Sequence, residues 1–259
     1  MDEALTINAA KESGKRMVSL LGLSAHPVGV RFIMGKECIR GGAQKLSRHR
    51  YCQALMKARR GSDVILDGEE LSCPAAAAAF GFRPLPKGLQ SGQGLVGFGI
   101  VSDEKVGERM FRYMPKLEPG SLSQLHLFPL DKAEYLPDIV VVEDEVEKLM
   151  WIVLACLHAT NGERVMGSTS VLQALCVDAT IVPYIDKRLN FGYGCYGCRD
   201  ATDIGPNEAV LGFPVHVLPV ITSHLEFLTS KAIPASRCKR ALKVLQDEDS
   251  KRASVEHKL

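Results

Sequence analysis

The stretch "PDIVVVEDEVEKLMWIVLACLHATNG", residues 137–162, predicts a β-strand that leads directly into an α-helix. Residues 137–144 hold an unbroken run of β-branched side chains, which is typical of a buried strand. Residues 145–162 have the length and apolar content of a helix, and Asn161–Gly162 supply its stop signal. A strand followed by a helix favours the α/β or α+β class.

Similar strand and helix signals lie on both sides of this stretch. The predicted strands are 28–34, 63–68 and 211–215, and the predicted helices are 3–21, 50–59, 69–82, 171–184 (a helix or a helix plus a strand), 219–230 and a final helix with a polar tail over 234–259. We therefore expect a single domain, residues 1–259, with a mixed sheet flanked by helices.

Three markers recur in the same order at nearly one offset, which indicates an internal duplication. They are the helix-stop glycines Gly61 and Gly162 (101 residues apart), Cys73 and Cys176 (103 apart), and the triplets Gly92–Gly94–Gly97 and Gly192–Gly194–Gly197 (100 apart). The predicted halves are about 23–115 and 130–230. A pseudo-twofold between them would bring Cys73, Cys176 and both glycine loops to one cleft.

Composition excludes several classes of function. The 259 residues are 46% hydrophobic and 24% charged, which is ordinary for a globular protein with a sizeable core. The net charge of +2 gives no basic footprint for nucleic acid. No apolar run approaches the roughly 20 residues of a membrane span, and the N-terminus has no secretory signal. We expect a cytoplasmic protein without a nucleic-acid or membrane partner.

The chain has eight cysteines, and a reducing compartment disfavours pairing them as structural disulfides. Metal binding, thiol chemistry or simple burial remain. Burial as a small hydrophobe is the expectation for Cys38 and Cys156, and Cys238 should lie on the surface.

The segment "NFGYGCYGCRDAT", residues 190–202, combines a G-x-G-x-x-G spacing with a C-x-x-C pair. A dinucleotide loop needs a strand before the glycines and a helix after them, and neither is clear here or around Gly92. The glycines instead indicate tight turns or close approach of backbone to a ligand. The candidate ligand-binding residues are Gly92, Gly94, Gly192, Gly194 and Arg199.

The C-x-x-C pair, Cys195 and Cys198, has more than one chemical interpretation. A thioredoxin-like dithiol would lie at the N-terminus of a helix. Tyr196–Gly197 between the thiols instead favours a knuckle, which is a tight, non-helical turn of the kind that binds a metal or an iron–sulfur cluster. Structural zinc would need a second Cys or His pair nearby, so zinc is the second choice of metal. An iron–sulfur cluster can take thiolates from separate loops, and glycine-rich backbone lets N–H groups approach its sulfur atoms. The candidate metal ligands are Cys52, Cys73, Cys176, Cys195 and Cys198.

Four ordered segments resemble a known family. They are "RYCQALMKARRG", "LSCPAAAAAFGF", "LCVDATIVPY" and "NFGYGCYGCRDATDI", and together they are similar to the uncharacterised archaeal conserved region (ArCR) family, a domain of unknown function. The resemblance covers about residues 10 to 230 and implies an anaerobic context and roles for Cys52, Cys73 and Cys176. Members often have C-P-G-G where this chain reads Cys73-Pro74-Ala75-Ala76. The family name implies no activity.

The resulting hypothesis is a cysteine-ligated iron–sulfur protein, with a [4Fe–4S] cluster or another metal, acting in redox or sulfur chemistry of an anaerobe. An open coordination position would make it an enzyme, whereas four thiolates would indicate electron transfer or a structural role. Its redox partner or small-molecule substrate is not specified by the sequence. The alternatives are a non-catalytic module that binds a small ligand or partner in a glycine-loop cleft, and a thiol–disulfide oxidoreductase that uses Cys195 and Cys198.

Overall fold

A mixed seven-stranded sheet organises the protein. The structure is a computed structural model that describes residues 5–35 and 42–256, with side chains described as far as residue 248. Its strands are β1 (Val28–Ile33), β2 (Gln44–Leu46), β3 (Val64–Asp67), β4 (Gln124–Pro129), β5 (Ile139–Glu145), β6 (Asn190–Gly192) and β7 (Glu208–Pro214).

The strand order across the sheet is β2-β3-β4-β1-β5-β7-β6. Only β2 and β3 are parallel, and every other neighbouring pair is antiparallel. At the centre, β1 pairs with β5, so that Val28 lies opposite Val141. The predicted mixed α/β class is therefore confirmed, and strands from both predicted halves belong to one sheet.

The helices lie before, between and after the strands. They are α1 (Ile7–Leu21), α2 (Tyr51–Arg59), α3 (Pro74–Ala79), α4 (Lys87–Gln90), α5 (Gln93–Gly97), α6 (Glu104–Arg112), α7 (Val146–Cys156), a π-helix (Ala174–Ile181), α8 (Val182–Asp186), α9 (Tyr196–Ala201), α10 (Leu218–Ser230), α11 (Ala232–Arg237) and α12 (Arg240–Glu256), with 3-10 turns at Leu130–Lys132 and Val215–Val217. No helix in the described part of the chain combines the length and hydropathy that a bilayer-spanning helix requires.

The two faces of the sheet bury separate cores. The front face, which carries Val30, Leu66 and Leu127, packs against α2, α3 and the π-helix. The back face, which carries Val140 and Phe213, packs against α1, α7 and α10. Because central strands are covered on both sides, they are apolar at nearly every position, as in other doubly covered sheets.

Several helices differ from their predicted limits. Helix α1 begins at Ile7, where the side chain of Thr6 accepts the N–H of Ala9, and it ends at Gly22 in the left-handed region. The predicted helix 69–82 is wrong in length: α3 covers only Pro74–Ala79, with Cys73 as its N-cap. The predicted final helix is divided into α11 and α12, and residues 257–259 of its tail lie outside the described residues.

Strand β4, which lies between β1 and β3, was not predicted from the sequence. His126 interrupts its apolar pattern, yet the imidazole is buried. The ring packs on Phe128 and Tyr135, and Nε2 lies 2.5 Å from a carboxylate oxygen of Asp63. A polar residue can occupy this central position because the fold supplies that partner.

The predicted helix 171–184 is a π-helix followed by α8, and all eight π-helical residues are buried. The π-helix lies against β7, where a Cβ atom added to Gly212 would come within 1.7 Å of the Ala179 carbonyl oxygen. This contact brings two backbones together at a distance that only glycine permits. π-helices are rare and occur often at functional sites.

The internal duplication is not shown by the structure. Strands β1, β4 and β3 have the same relative order and pairing as β5, β7 and β6. However, α2 and α7, the helices that follow β1 and β5, pack on opposite faces of the sheet, and β2 lacks a counterpart among the described strands. The duplication therefore remains a prediction.

Candidate functional site

The candidate site is a cavity of about 630 Å³ on the front face, which we call the cysteine pocket. Five of the seven cysteines in the described part of the chain line it, and all seven are free thiols. The five are Cys52, Cys73, Cys176, Cys195 and Cys198. They come from four segments spread over about 150 residues of sequence, so only the fold brings them together.

Each of the four segments contributes its cysteine at the start of a helix. Cys73 is the N-cap of α3 and Cys195 is the N-cap of α9, while Cys52 is the second residue of α2. Cys176 is the third residue of the π-helix. Backbone N–H groups in a first helical turn lack partners within the helix, so they can donate to a sulfur atom nearby.

The C-x-x-C pair forms its own hydrogen-bonded unit. The two Sγ atoms are 2.8 Å apart, the N–H of Cys195 donates to Cys198 Sγ at 3.1 Å, and the N–H of Cys198 lies 3.4 Å from Cys195 Sγ. The segment after Cys195 is helical, with strand β6 before the pair, so the predicted knuckle is wrong. The unit has the helix-capping arrangement of a dithiol motif.

The two thiols of this unit differ in acidity. The Cys198 thiol donates to Cys195 and lowers the pKa of Cys195, with further help from the N–H groups of Ala174, Cys198 and Gly197. The same hydrogen bond, together with burial, raises the pKa of Cys198. Cys195 is therefore the thiol of the pair that ionises first.

The other buried thiols resist ionisation. Burial, together with negative charge on Cys195 and Cys73, raises the pKa of Cys52 to about 12. Burial also raises the pKa of Cys176 well above its usual value, again with unfavourable charge from the neighbouring thiols. These groups are close enough to repel one another as thiolates, so several of them can be thiolates together only beside a compensating positive charge.

Apolar side chains form much of the remaining wall, including Tyr51, Leu95, Phe111 and Leu175. At the mouth, Phe98 and Tyr196 are each 61% exposed, with ring centroids 6.5 Å apart. Sequence reasoning missed both aromatic residues, although Tyr196 lies between the two cysteines of the motif.

The predicted ligand-binding residues are distributed unevenly. Gly94 lines the cysteine pocket, but Gly92 and Gly192 do not. A Cβ atom at Gly92 would collide with the Glu104 carbonyl oxygen, and one at Gly192 would meet Asp178 and Ala174 in the π-helix. Both glycines thus permit close packing between elements.

Gly194 and Arg199 shape the loop around the C-x-x-C pair and lie outside the pocket lining. Gly194 has a positive φ of 80°, and the Arg199 guanidinium donates to the carbonyl oxygens of Tyr193, Gly205 and Glu208. Contact of either residue with a ligand remains a prediction. Arg50, by contrast, lines the pocket and donates to the Gly197 carbonyl at 3.0 Å.

Within the described residues, no three His, Cys, Asp or Glu side chains form a group that could hold a metal ion. The thiols line a shared cavity without converging on one point. Cys156 lies in the back-face core, Cys238 is exposed as expected, and Cys38 falls outside the described residues.

Two strained residues, Val171 and Gln173, lie just before the π-helix, and Gln173 lines the pocket. Sequence patterns indicated neither. Val171 has φ of 59° and Gln173 has φ of 55°, both in the left-handed region. Such a conformation is unusual for a β-branched residue and is often found next to functional sites. The Gln173 carbonyl accepts the N–H groups of Val177 and Asp178 and the Cys176 thiol, so it fixes the start of the π-helix.

The fold and site together define a mixed α/β protein in which helix starts deliver cysteines to one apolar pocket. The chain belongs to the family described as Uncharacterised ArCR, whose model matches residues 16–224. This family membership confirms the resemblance.

The chain is also 29% identical over 225 residues to Uncharacterized protein MJ0308 of the archaeon Methanocaldococcus jannaschii. That match covers 86% of this chain and 96% of the relative. No solved structure matches the chain.

Proposed function

We propose that the protein binds an iron–sulfur cluster in the cysteine pocket. The ligands would be Cys52, Cys73, Cys176 and one thiol of the Cys195–Cys198 pair. The observation that supports this most is the gathering of thiols from four separate helix starts around one apolar cavity.

A cluster suits this arrangement better than a single ion. A single zinc ion needs four ligands at one point, whereas the cysteines of a [4Fe–4S] cluster bind different iron atoms and lie farther apart. The cavity of about 630 Å³ leaves space between the thiols. Zinc is therefore the second choice of metal.

The surroundings also favour a cluster. The iron atoms would offset the mutual repulsion of buried thiolates, and the N–H groups at helix starts would donate to its sulfur atoms. Exposure of the cluster through the pocket mouth would permit electron transfer or contact with a substrate. With four cysteine ligands, the favoured activity is electron transfer in redox metabolism, and sulfur chemistry would require an open coordination position.

The test is metal and sulfide analysis of protein purified without oxygen, in the wild type and in Cys73→Ser and Cys176→Ser. We expect iron and acid-labile sulfide in similar amounts in the wild type and at least a severalfold loss in both variants. Cys156→Ser is the matched control, because it removes a buried thiol from the opposite face. Full metal content in both pocket variants would refute the ligand assignment.

Other outcomes would redirect the assignment. Zinc without sulfide would replace the cluster by a single-ion site. Absence of both metal and sulfide from the folded wild-type protein would overturn the proposal and favour a non-catalytic ligand-binding module, for which a rise in melting temperature with a metabolite would be the evidence.

Thiol–disulfide exchange is a second candidate function, favoured by the 2.8 Å separation of Cys195 Sγ and Cys198 Sγ. The Cys195 thiolate would attack a low-molecular-weight disulfide, form a mixed disulfide and release one thiolate. Cys198 would then lose its proton and attack Cys195 Sγ, which releases the second thiolate and leaves a Cys195–Cys198 disulfide. Two electrons pass from the protein to the substrate.

Mass spectrometry after treatment of metal-free protein with hydroxyethyl disulfide tests this candidate. In the wild-type protein the Cys195–Cys198 pair should lose two hydrogen atoms and retain no adduct, whereas Cys198→Ser should retain a mixed disulfide at Cys195. Cys195→Ser is the control and should form no adduct at residue 198. An unmodified pair in folded wild-type protein would exclude the exchange activity.

A further inference from the structure

A second cavity, of about 420 Å³, lies beside the cysteine pocket. Helix α6 contributes one part of its lining and residues 168–178 contribute the other. Gln173 lines both cavities, so the strained start of the π-helix separates them. We call this cavity the second pocket.

The second pocket contains the guanidinium group of Arg109 and the carboxyl group of Asp178, which do not pair with each other. Arg109 forms no ion pair among the described residues, whereas Arg112 on the same helix binds Glu108. Asp178 is buried, and its Oδ2 atom accepts a hydrogen bond of 2.5 Å from the Thr169 hydroxyl. No other donor to this carboxyl group lies within the described residues, so it retains accepting capacity.

The rest of the lining is largely apolar. Val106, Met110, Met114 and Val177 contribute aliphatic or thioether surface. An apolar cavity with a few polar groups that fix orientation is the usual form of a small-molecule site. A guanidinium and a carboxyl group that lack ion-pair partners at such a site favour a ligand that carries both an anionic and a cationic group.

We propose that the second pocket binds an α-amino acid with an apolar side chain. The ligand carboxylate would bind the Arg109 guanidinium, and the ligand ammonium group would donate to Asp178. The apolar side chain of the ligand would pack against Met110 in α6 and Met114 just after α6. The bound amino acid would lie beside the cysteine pocket, because Gln173 lines both cavities. Binding here does not require that the cysteine pocket hold a cluster.

The experiment uses the full chain, purified without oxygen, with L-leucine as the probe and thermal unfolding and calorimetric titration as the readouts. L-leucine should raise the melting temperature. The analogues 3-methylbutylamine, which lacks the carboxylate, and 4-methylpentanoate, which lacks the ammonium group, should each bind at least about tenfold more weakly.

Arg109→Gln should weaken L-leucine binding by about tenfold or more, and Arg112→Gln, one turn away and already paired, is the matched control. Asp178→Asn should weaken L-leucine binding to a similar extent, but this substitution changes a buried group on which folding can depend. The exposed Arg109 keeps the test decisive if the Asp178 variant does not fold.

Equal affinity of wild type and Arg109→Gln for L-leucine would overturn the proposal, as would equal binding of all three probes. Absence of binding by L-leucine and by the other apolar amino acids at millimolar concentration would also overturn it. Iron and sulfide content is measured separately, so failure of this proposal is distinguishable from failure of the cluster proposal.

Discussion

The two faces of the sheet are built from different kinds of helix. On the back face, α1, α7 and α10 contain 15, 11 and 13 residues, and each presents one buried side to the sheet and one exposed side to solvent. On the front face, α3 has six residues and the π-helix has eight, and nearly all of them are buried. Amphipathic helices cover the back, and short buried segments line the cysteine pocket at the front.

The two faces also differ in the side chains that fill their cores. Large side chains such as Phe213 and Leu225 fill the back-face core. The front-face core also contains large side chains such as Phe80, but it adds small residues, among them the run Ala75–Ala79, so that backbone approaches backbone and helix starts meet at the cysteine pocket. Substitutions on the two faces should therefore have different consequences.

Gly212→Ala should have the largest effect, because it separates the π-helix from β7. The new Cβ atom would lie 1.7 Å from the Ala179 carbonyl oxygen, and neither backbone can move without disrupting the sheet or the helix. We expect a loss of more than about 4 kcal/mol in the free energy of unfolding, or no soluble protein. Denaturant unfolding measures it.

Gly97→Ala provides the control for that substitution. Gly97 lies in α5, and a Cβ atom there would meet nothing within 4 Å. Alanine should change stability by no more than about 0.5–1 kcal/mol, in the stabilising direction. Equal stability losses in the two variants would contradict the close packing of the π-helix on β7.

Leu225→Ala should have the second largest effect and should be confined to the back face. Leu225 is fully buried in α10, so its truncation should cost about 2–5 kcal/mol of unfolding free energy. The metal content per folded molecule should be unchanged, because the cysteine pocket lies on the other side of the sheet. Loss of metal from the folded variant would indicate that the faces are coupled.

Tyr51→Phe should have a smaller effect and should act on the front face. The buried Tyr51 hydroxyl bonds to Thr180 Oγ1 at 2.7 Å, and Thr180 in turn donates to the Leu175 carbonyl at 2.8 Å. The Phe variant removes one hydrogen bond between α2 and the π-helix and should cost about 1 kcal/mol. A denaturation midpoint equal to that of the wild type would mean that the bond contributes nothing.

At acidic pH Glu143→Gln should have the smallest effect, and the sign of its effect should depend on pH. Burial raises the pKa of Glu143 to about 7, although Arg59 Nε lies 3.0 Å from Oε1 without the alignment of a hydrogen bond. A raised carboxyl pKa favours folding below the unfolded pKa, and that contribution is lost as pH rises through about 7. Glutamine has no charge to bury.

The melting temperature of Glu143→Gln should therefore rise relative to that of the wild type between about pH 5 and about pH 8. Measurement of both proteins across this range gives the result. A difference that is constant with pH would show that Glu143 is ionised throughout, with Arg59 offsetting its burial.

The parts of the fold that the sequence predicted are those with strong local patterns. The strands β1, β3, β5 and β7 are runs of apolar or β-branched residues that begin or end close to their predicted positions. Strand β4 was missed because His126 breaks its pattern, and only Asp63, Phe128 and Tyr135 make burial of that imidazole acceptable. Asp63, the hydrogen-bonding partner, lies 63 residues away in the sequence, so no local pattern reveals it.

The candidate site was predicted in part. The candidate cysteines and the C-x-x-C motif were visible in the sequence, but the sequence did not predict the helix after Cys195. That helix depends on hydrogen bonds within the dithiol unit and on the loop fixed by Arg199. The strained Gln173 and the second pocket gave no sequence signal, because both depend on how α6 and the π-helix meet.

The sequence by itself determined the mixed α/β class, the main strands and the residue types available for chemistry, since these depend on local hydrophobic pattern and composition. Only the tertiary structure decided which cysteines share a pocket, which glycines serve packing and where the π-helix forms. The physical reason is that these features depend on contacts between segments far apart in the chain, and a single glycine such as Gly212 acquires its role only when another backbone lies against it.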